Sequence, residues 1–142
     1  MHFANVNFLS ILTAAVAAWI FGGVYYTALS KPWLAAQGKT MDQCKAEQAG
    51  KSRLAMIMPF VLAFVGALIM AWVLYGILRH LGTFTLRAGI ISSAFCWFGF
   101  VLTTMTVNNA FGGKKLMLTV IDGVHWLIGL LIIGGIVGAW GG

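Results

Sequence analysis

An all-α polytopic membrane protein, a four-transmembrane-helix bundle, is the fold class that this sequence predicts, and three observations predict it. Of the 142 residues, 61% are hydrophobic and only 8% charged, with a mean hydropathy of +0.93, whereas a soluble domain carries about 25% charged residues to cover its surface. Apolar runs that meet the requirement of about 20 residues for a bilayer crossing recur four times. The polar material between them is concentrated in one segment, residues 30–53, which holds five of the nine basic residues. One membrane domain, residues 1–142, is therefore expected, with helices at about 8–29, 54–78, 88–107 and 116–140.

The first run, Phe8 to Leu29, carries no charge. Its AVAA at Ala15–Ala18 resembles a signal-peptide cleavage site, but the preceding MHFANVN lacks the basic residues of a signal peptide, so a retained helix is favoured. Ala14, Ala18 and Gly22 repeat every four positions, the spacing that lets helices approach closely in lipid. The polar segment follows. Thr40 and Gln43 have capping-box spacing and Gly50 suits a helix end, so Met41–Ala49 is expected as a short surface helix, and Trp33 after Pro32 as an interfacial anchor.

The second run is interrupted only by Pro59, which leaves the carbonyl of Ala55 without its helical donor and predicts a local kink. The third run is semi-polar, with Ser92, Ser93, Thr103, Thr104 and Thr106. Asn108 to Gly113 then turns the chain before Lys114 and Lys115. This GGKK is not a phosphate loop, because no strand precedes it and the spacing is wrong.

The fourth run, Leu116 to Trp140, contains Asp122 and His125. An acid near the middle of a span costs about 2.5–3.5 kcal/mol on insertion scales, so Asp122 must face protein. At about 1.5 Å per residue it lies roughly 9–11 Å from the start of its helix. Reading the other helices at that depth predicts an intramembrane polar cluster of Asp122, His125, Tyr25 or Tyr26, and Thr103 or Thr104, around the bend at Pro59 and Met58–Phe60. On the same helix Gly134 and Gly138 have GxxxG spacing on a second face, a contact inside the bundle or with another copy.

Asp122 and His125 admit two readings. They either titrate as one unit able to carry a proton or bind a cation, or they are structural glue between helices. The structural reading is preferred, because a transport path needs several ionisable groups and this chain supplies one cluster. One His and one carboxylate are too few ligands for a metal. No nucleophile, base and orienter arrangement is visible, so no catalytic residue and no cofactor is expected. Cys44 and Cys96 give no disulfide framework.

The formal net charge is +6, and five of the nine basic residues sit in the 30–53 segment, a pattern that suits anionic lipid headgroups rather than nucleic acid. Lys and Arg number seven in the connections after helices one and three, against two elsewhere. The positive-inside rule then puts both termini outside and loop 30–53 in the cytoplasm.

Three signatures are distinctive in combination: Gly23-Val24-Tyr25-Tyr26 before Lys31-Pro32-Trp33, Gly113-Lys114-Lys115, and Ile121-Asp122-Gly123-Val124-His125. Over nearly its whole length the chain resembles the bacterial membrane proteins grouped as domain of unknown function 1761, many of which have Trp-Tyr at Tyr25-Tyr26. The resemblance implies a four-helix protein of the bacterial inner membrane and brings no established activity. The expected role is thus non-enzymatic, a structural or accessory subunit that self-associates or joins a larger membrane complex. The alternative is a small oligomeric proton-coupled transporter or channel using Asp122 and His125.

Overall fold

The computed structural model describes residues 6–142, and among them the regular structure is helical. Seven α-helices run in order: α1 Phe8–Ala28, α2 Ser30–Ala36, α3 Met41–Ala49, α4 Arg53–Leu81, α5 Leu86–Cys96, α6 Thr103–Phe111 and α7 Leu116–Trp140. A π-helical segment, Trp97–Leu102, joins α5 to α6 without a break. Four stretches are long and apolar enough to cross a membrane: Phe8–Ala28, Arg53–Leu81, Leu86–Phe111 and Leu116–Trp140. The four-helix expectation holds, with α4 and the third span longer than predicted and α7 as predicted.

Local chemistry starts and stops these helices where it should. The side chains of Asn7, Ser52 and Thr85 accept from the backbone N–H three residues on, capping α1, α4 and α5. Around α3 the predicted capping box is formed in full: Thr40 Oγ1 accepts from Gln43 N at 3.2 Å and Gln43 Oε1 accepts from Thr40 N at 2.9 Å. At the far end of α4, Gly82 takes a left-handed conformation (φ 66°) that a side chain would resist, and the chain turns into α5 through four residues.

The polar segment departs most from expectation. It holds two helices, and the first nearly continues α1: Leu29 N donates to Tyr25 O and Trp33 N to Leu29 O across the junction. Pro32 explains the interruption, since it offers no N–H to the carbonyl of Ala28 and its ring crowds that oxygen.

The core is built around α7, which packs against α1, α4 and α5. Ile11, Ala14, Ala15 and Ala18 of α1, Ala67, Ala71, Leu74 and Leu78 of α4, and Leu130, Ile133 and Val137 of α7 form one buried cluster. The small-residue ridge of α1 is used as its spacing predicts, with Ala14 and Ala18 buried. Gly134 and Gly138 also serve a close contact, inside the bundle. A Cβ on Gly138 would meet Thr85 O and come within 3.0 Å of Gly89 Cα, and one on Gly134 would meet Ser93 Oγ and Gly89 O. Gly89 is the reciprocal position on α5, where a Cβ would meet the carbonyl of Gly134.

A second, smaller cluster lies at the basic end of the bundle. There Ala36 of α2 packs with Leu118 and Ile121 of α7, flanked by Tyr25, Tyr26, Leu29 and Trp33.

Candidate functional site

One turn of α7, Ile121–Gly123, is gripped by four aromatic donors from three directions. Tyr26 Oη donates to Asp122 Oδ1 at 2.8 Å, and Trp33 Nε1 donates to the same oxygen at 3.0 Å. Tyr25 Oη donates to the carbonyl of Ile121 at 2.8 Å. From the opposite side Trp97 Nε1 donates to the carbonyl of Gly123 at 2.8 Å. A hydrogen bond to a charged group is worth about 1.5–3 kcal/mol in water-soluble proteins, and interhelical bonds in membranes average about 0.6 kcal/mol. Asp122 is thus held by neutral donors whose rings also bury apolar surface, which suits a low-dielectric site.

The sequence places these donors by helical spacing. On α1 and α2 the residues turned toward α7 follow alternating steps of three and four: Ala18, Gly22, Tyr25 or Tyr26, Leu29, Trp33 and Ala36. This seam crosses the Pro32 junction, so α2 delivers Trp33 to Asp122 from the segment expected to be a loop. Lys115 Nζ donates to Ala35 O at 3.1 Å and ties the C-terminal end of α2 to the start of α7. Trp97 comes from the first residue of the π-helical segment, an arrangement often found at functional sites.

His125 sits beside this turn in a cage of rings. Its centroid lies 4.7 Å from Tyr26, 4.9 Å from Trp126, 5.5 Å from Tyr25 and 6.0 Å from Phe21, the last pair nearly parallel at 10°. Gly22 makes room for the ring, since a Cβ there would stand 2.9 Å from His125 Nε2. His125 Nδ1 is buried and has no hydrogen-bond partner among the described residues. No ion pair joins Asp122 to His125 among those residues either, so their shared helix face does not make them a bonded pair.

The structure therefore brings together Asp122, His125, Tyr25 and Tyr26, and it uses both tyrosines where one was expected. It leaves out Thr103 and Thr104, which are exposed. The Thr103 hydroxyl donates to Gly99 O at 2.7 Å, back into its own helix. The reason is azimuth, because a π turn holds more residues than an α turn and rotates everything after it away from the face that α-helical counting predicts. Met58, Pro59 and Phe60 are likewise exposed and lie outside the cluster. A different polar residue of the third span reaches α7: Asn109 Nδ2 donates to the buried Thr119 Oγ1 at 2.9 Å. Trp33 and Trp97 are the members that sequence reading missed. The three-four seam running past Leu29 was the available signal for Trp33, and nothing comparable marks Trp97.

Both thiols are free, and no three His, Cys, Asp or Glu side chains among the described residues could together hold a metal ion. The charged basic end is solvated, with Lys39 Nζ 2.7 Å from Glu47 Oε2 in an exposed ion pair. The hydrogen bond from Lys39 holds the Glu47 carboxyl below its ordinary range.

No curated protein and no solved structure matches this chain. A family model does, across residues 9–138, which take in nearly all of the four spans and every member of the Asp122 cluster. The chain belongs to that family, DUF1761, described as a protein of unknown function.

Proposed function

We propose that this protein is a non-enzymatic structural or accessory component of a bacterial inner membrane, which self-associates or joins a larger membrane assembly. Both termini face the periplasm in this reading and residues 30–53 the cytoplasm, following the distribution of Lys and Arg. The observation that carries it is the use made of Asp122. The one acid within the apolar spans beyond the helix ends takes two hydrogen bonds on a single oxygen from its own chain, and the neighbouring carbonyls take two more. These bonds fasten α1, α2 and the π-helical segment to α7, a mechanical role that needs no ligand.

A second reading, proton-coupled transport by a small oligomer, is favoured by one observation. His125 keeps a buried nitrogen without a partner one helical turn from that acid. The substitution Asp122→Asn separates the two in proteoliposomes carrying a pH gradient. In the accessory reading the wild type passes no flux and the variant unfolds more readily in detergent. A pH-driven flux abolished by Asp122→Asn, with the fold intact, overturns that reading in favour of transport. Mass spectrometry of the gently extracted complex adds the composition: co-purifying subunits support an accessory role.

A further inference from the structure

Over its first eleven residues, Arg53–Ala63, α4 buries no side chain, since every one of them is exposed. Its buried positions, Ala67, Ala71, Leu74, Tyr75 and Leu78, all lie in the other half. Trp19 of α1 holds the inner end of this stretch, its Nε1 donating to Phe60 O at 3.0 Å and its ring meeting Phe64 at 6.0 Å. The neighbouring span does not cover it: α4 packs on α5, while the π-helical segment and α6 lie against α7, where Asn109 donates to Thr119. That span follows α4 through the short turn at Gly82–Thr85 and packs on α7 through Gly89, Ser93 and Trp97, yet no residue from Phe98 to Phe111 is buried. Two adjacent helices are thus pinned at one end and stand apart at the other, leaving a lateral opening beside the bare half of α4.

The rim of that opening is basic. Lys51 and Arg53 flank the N-terminus of α4 and are exposed, and Lys31, Lys39, Lys45, Lys114 and Lys115 lie at the same end. Against these stand Asp42 and Glu47 on the same side, of which Glu47 is already paired with Lys39. A second copy in the same membrane would bring its own Lys51 and Arg53 to the same level, so like charges would meet. An anionic lipid brings the opposite charge together with apolar chains of the right length.

We propose that this opening is a binding site for one anionic phospholipid, its phosphate held by Lys51 and Arg53 and its acyl chains laid along Leu54, Ile57, Met58 and Val61. Those four share one face of α4 at helical spacing. The bound lipid supplies the lateral packing that the chain withholds from the first half of α4. The proposal depends on the protein lying in a bilayer and not on the accessory role, so it survives if transport is found instead.

The test uses the full chain in detergent, offered phosphatidylglycerol or phosphatidylcholine of matched acyl length and read by native mass spectrometry. One phosphatidylglycerol retained per chain in preference to phosphatidylcholine is expected. The double variant Lys51→Gln/Arg53→Gln lowers that retention by about 30-fold, the conversion of about 1 kcal/mol per basic residue, while Arg87→Gln, exposed at the opposite end of the spans, leaves it unchanged. A photoactivatable phosphatidylglycerol should label residues 54–63 of the wild type, a result independent of whether the variants fold. Equal retention of the two lipids overturns the proposal, as does an equal loss in Arg87→Gln. Displacement by inorganic phosphate alone, label confined to residues outside 54–63, or a protein dimer covering those residues also overturns it.

Discussion

Replacing Gly89 by alanine tests the α5–α7 contact at its narrowest point. The added methyl would run into the carbonyl oxygen and carbon of Gly134, and it would stand 3.1 Å from Gly138 Cα. Every obstructing atom is backbone, so no side chain can swing aside and α5 must move off α7 along its length. Overpacking of a tight core costs about 1–3 kcal/mol, and a rigid backbone obstacle puts this site at the upper end. The better helix propensity of alanine over glycine returns about 1 kcal/mol. The expected net loss is about 2 kcal/mol, roughly a 30-fold shift of the folding equilibrium. Gly129→Ala is the internal control, because Gly129 is buried but a Cβ there meets nothing within 4 Å; it should be neutral or stabilising. The assay is reversible unfolding in mixed micelles against a denaturing detergent, followed by tryptophan fluorescence. Equal midpoints for Gly89→Ala and wild type would refute the reasoning, and so would a Gly129→Ala loss as large as that of Gly89→Ala.

The remaining predictions concern the basic half. Tyr26→Phe removes one of the two donors on Asp122 Oδ1, whereas Tyr25→Phe removes a second partner from a carbonyl that keeps its own helical bond. The first should cost about 1–2 kcal/mol and clearly more than the second by the same unfolding assay. Gly22→Ala drives a methyl to 2.9 Å from His125 Nε2 in a ring already walled by four aromatics. It should cost about 1–2 kcal/mol, and His125→Ala in the same chain should recover part of it; no recovery would mean that the ring is free to turn. For Glu47, the hydrogen bond from Lys39 lowers the folded-state pKa. Its contribution is therefore present above the ordinary glutamate value and lost as pH falls through the lowered one. A carbon NMR titration should place the Glu47 midpoint below that of a free glutamate, and Lys39→Gln should raise it.

How far the sequence led depended on which physical signal each feature leaves. Bilayer spans declare themselves by length and apolarity, and the capping box at Thr40 and Gln43 by residue type, so both were legible. The requirement that Asp122 face protein was legible too, because lipid penalises the alternative. What depth cannot give is azimuth. Thr103 and Thr104 share the level of Asp122, but the π-helical segment ahead of them turns them outward. A π turn is set by tertiary packing, here Trp97 against Gly123 O, and the sequence of the segment carries no mark of it. Lys31 and Pro32 made α2 look like loop, although its inward residues continue the spacing of α1. Gly134 and Gly138 were legible as a contact face, while Gly89 lies in a span too rich in small residues to single it out.

The two halves of the bundle are joined by different physics, and α7 is where they meet. Toward Trp140 the helices touch mainly through glycine, alanine and aliphatic side chains, where dispersion holds the backbones close, and Asn7 adds hydrogen bonds to Tyr75 Oη and Trp140 O. Toward Leu116 the contacts are aromatic donors on Asp122 and its flanking carbonyls, with the rings of Tyr25, Tyr26 and Trp33 also braced against one another at 5.4 Å. A lysine or arginine could have satisfied the carboxylate more strongly, but it would have brought a second charge into the apolar zone at its own desolvation cost. Neutral donors avoid that cost and add apolar area. They leave Asp122 without an ion-pair partner among the described residues, with the His125 imidazole one helical turn away. The Tyr26 bond is therefore where the structural and the proton-coupled readings diverge: a mechanical fastening should weaken in proportion to the donor lost, whereas a proton site should change its pH response first.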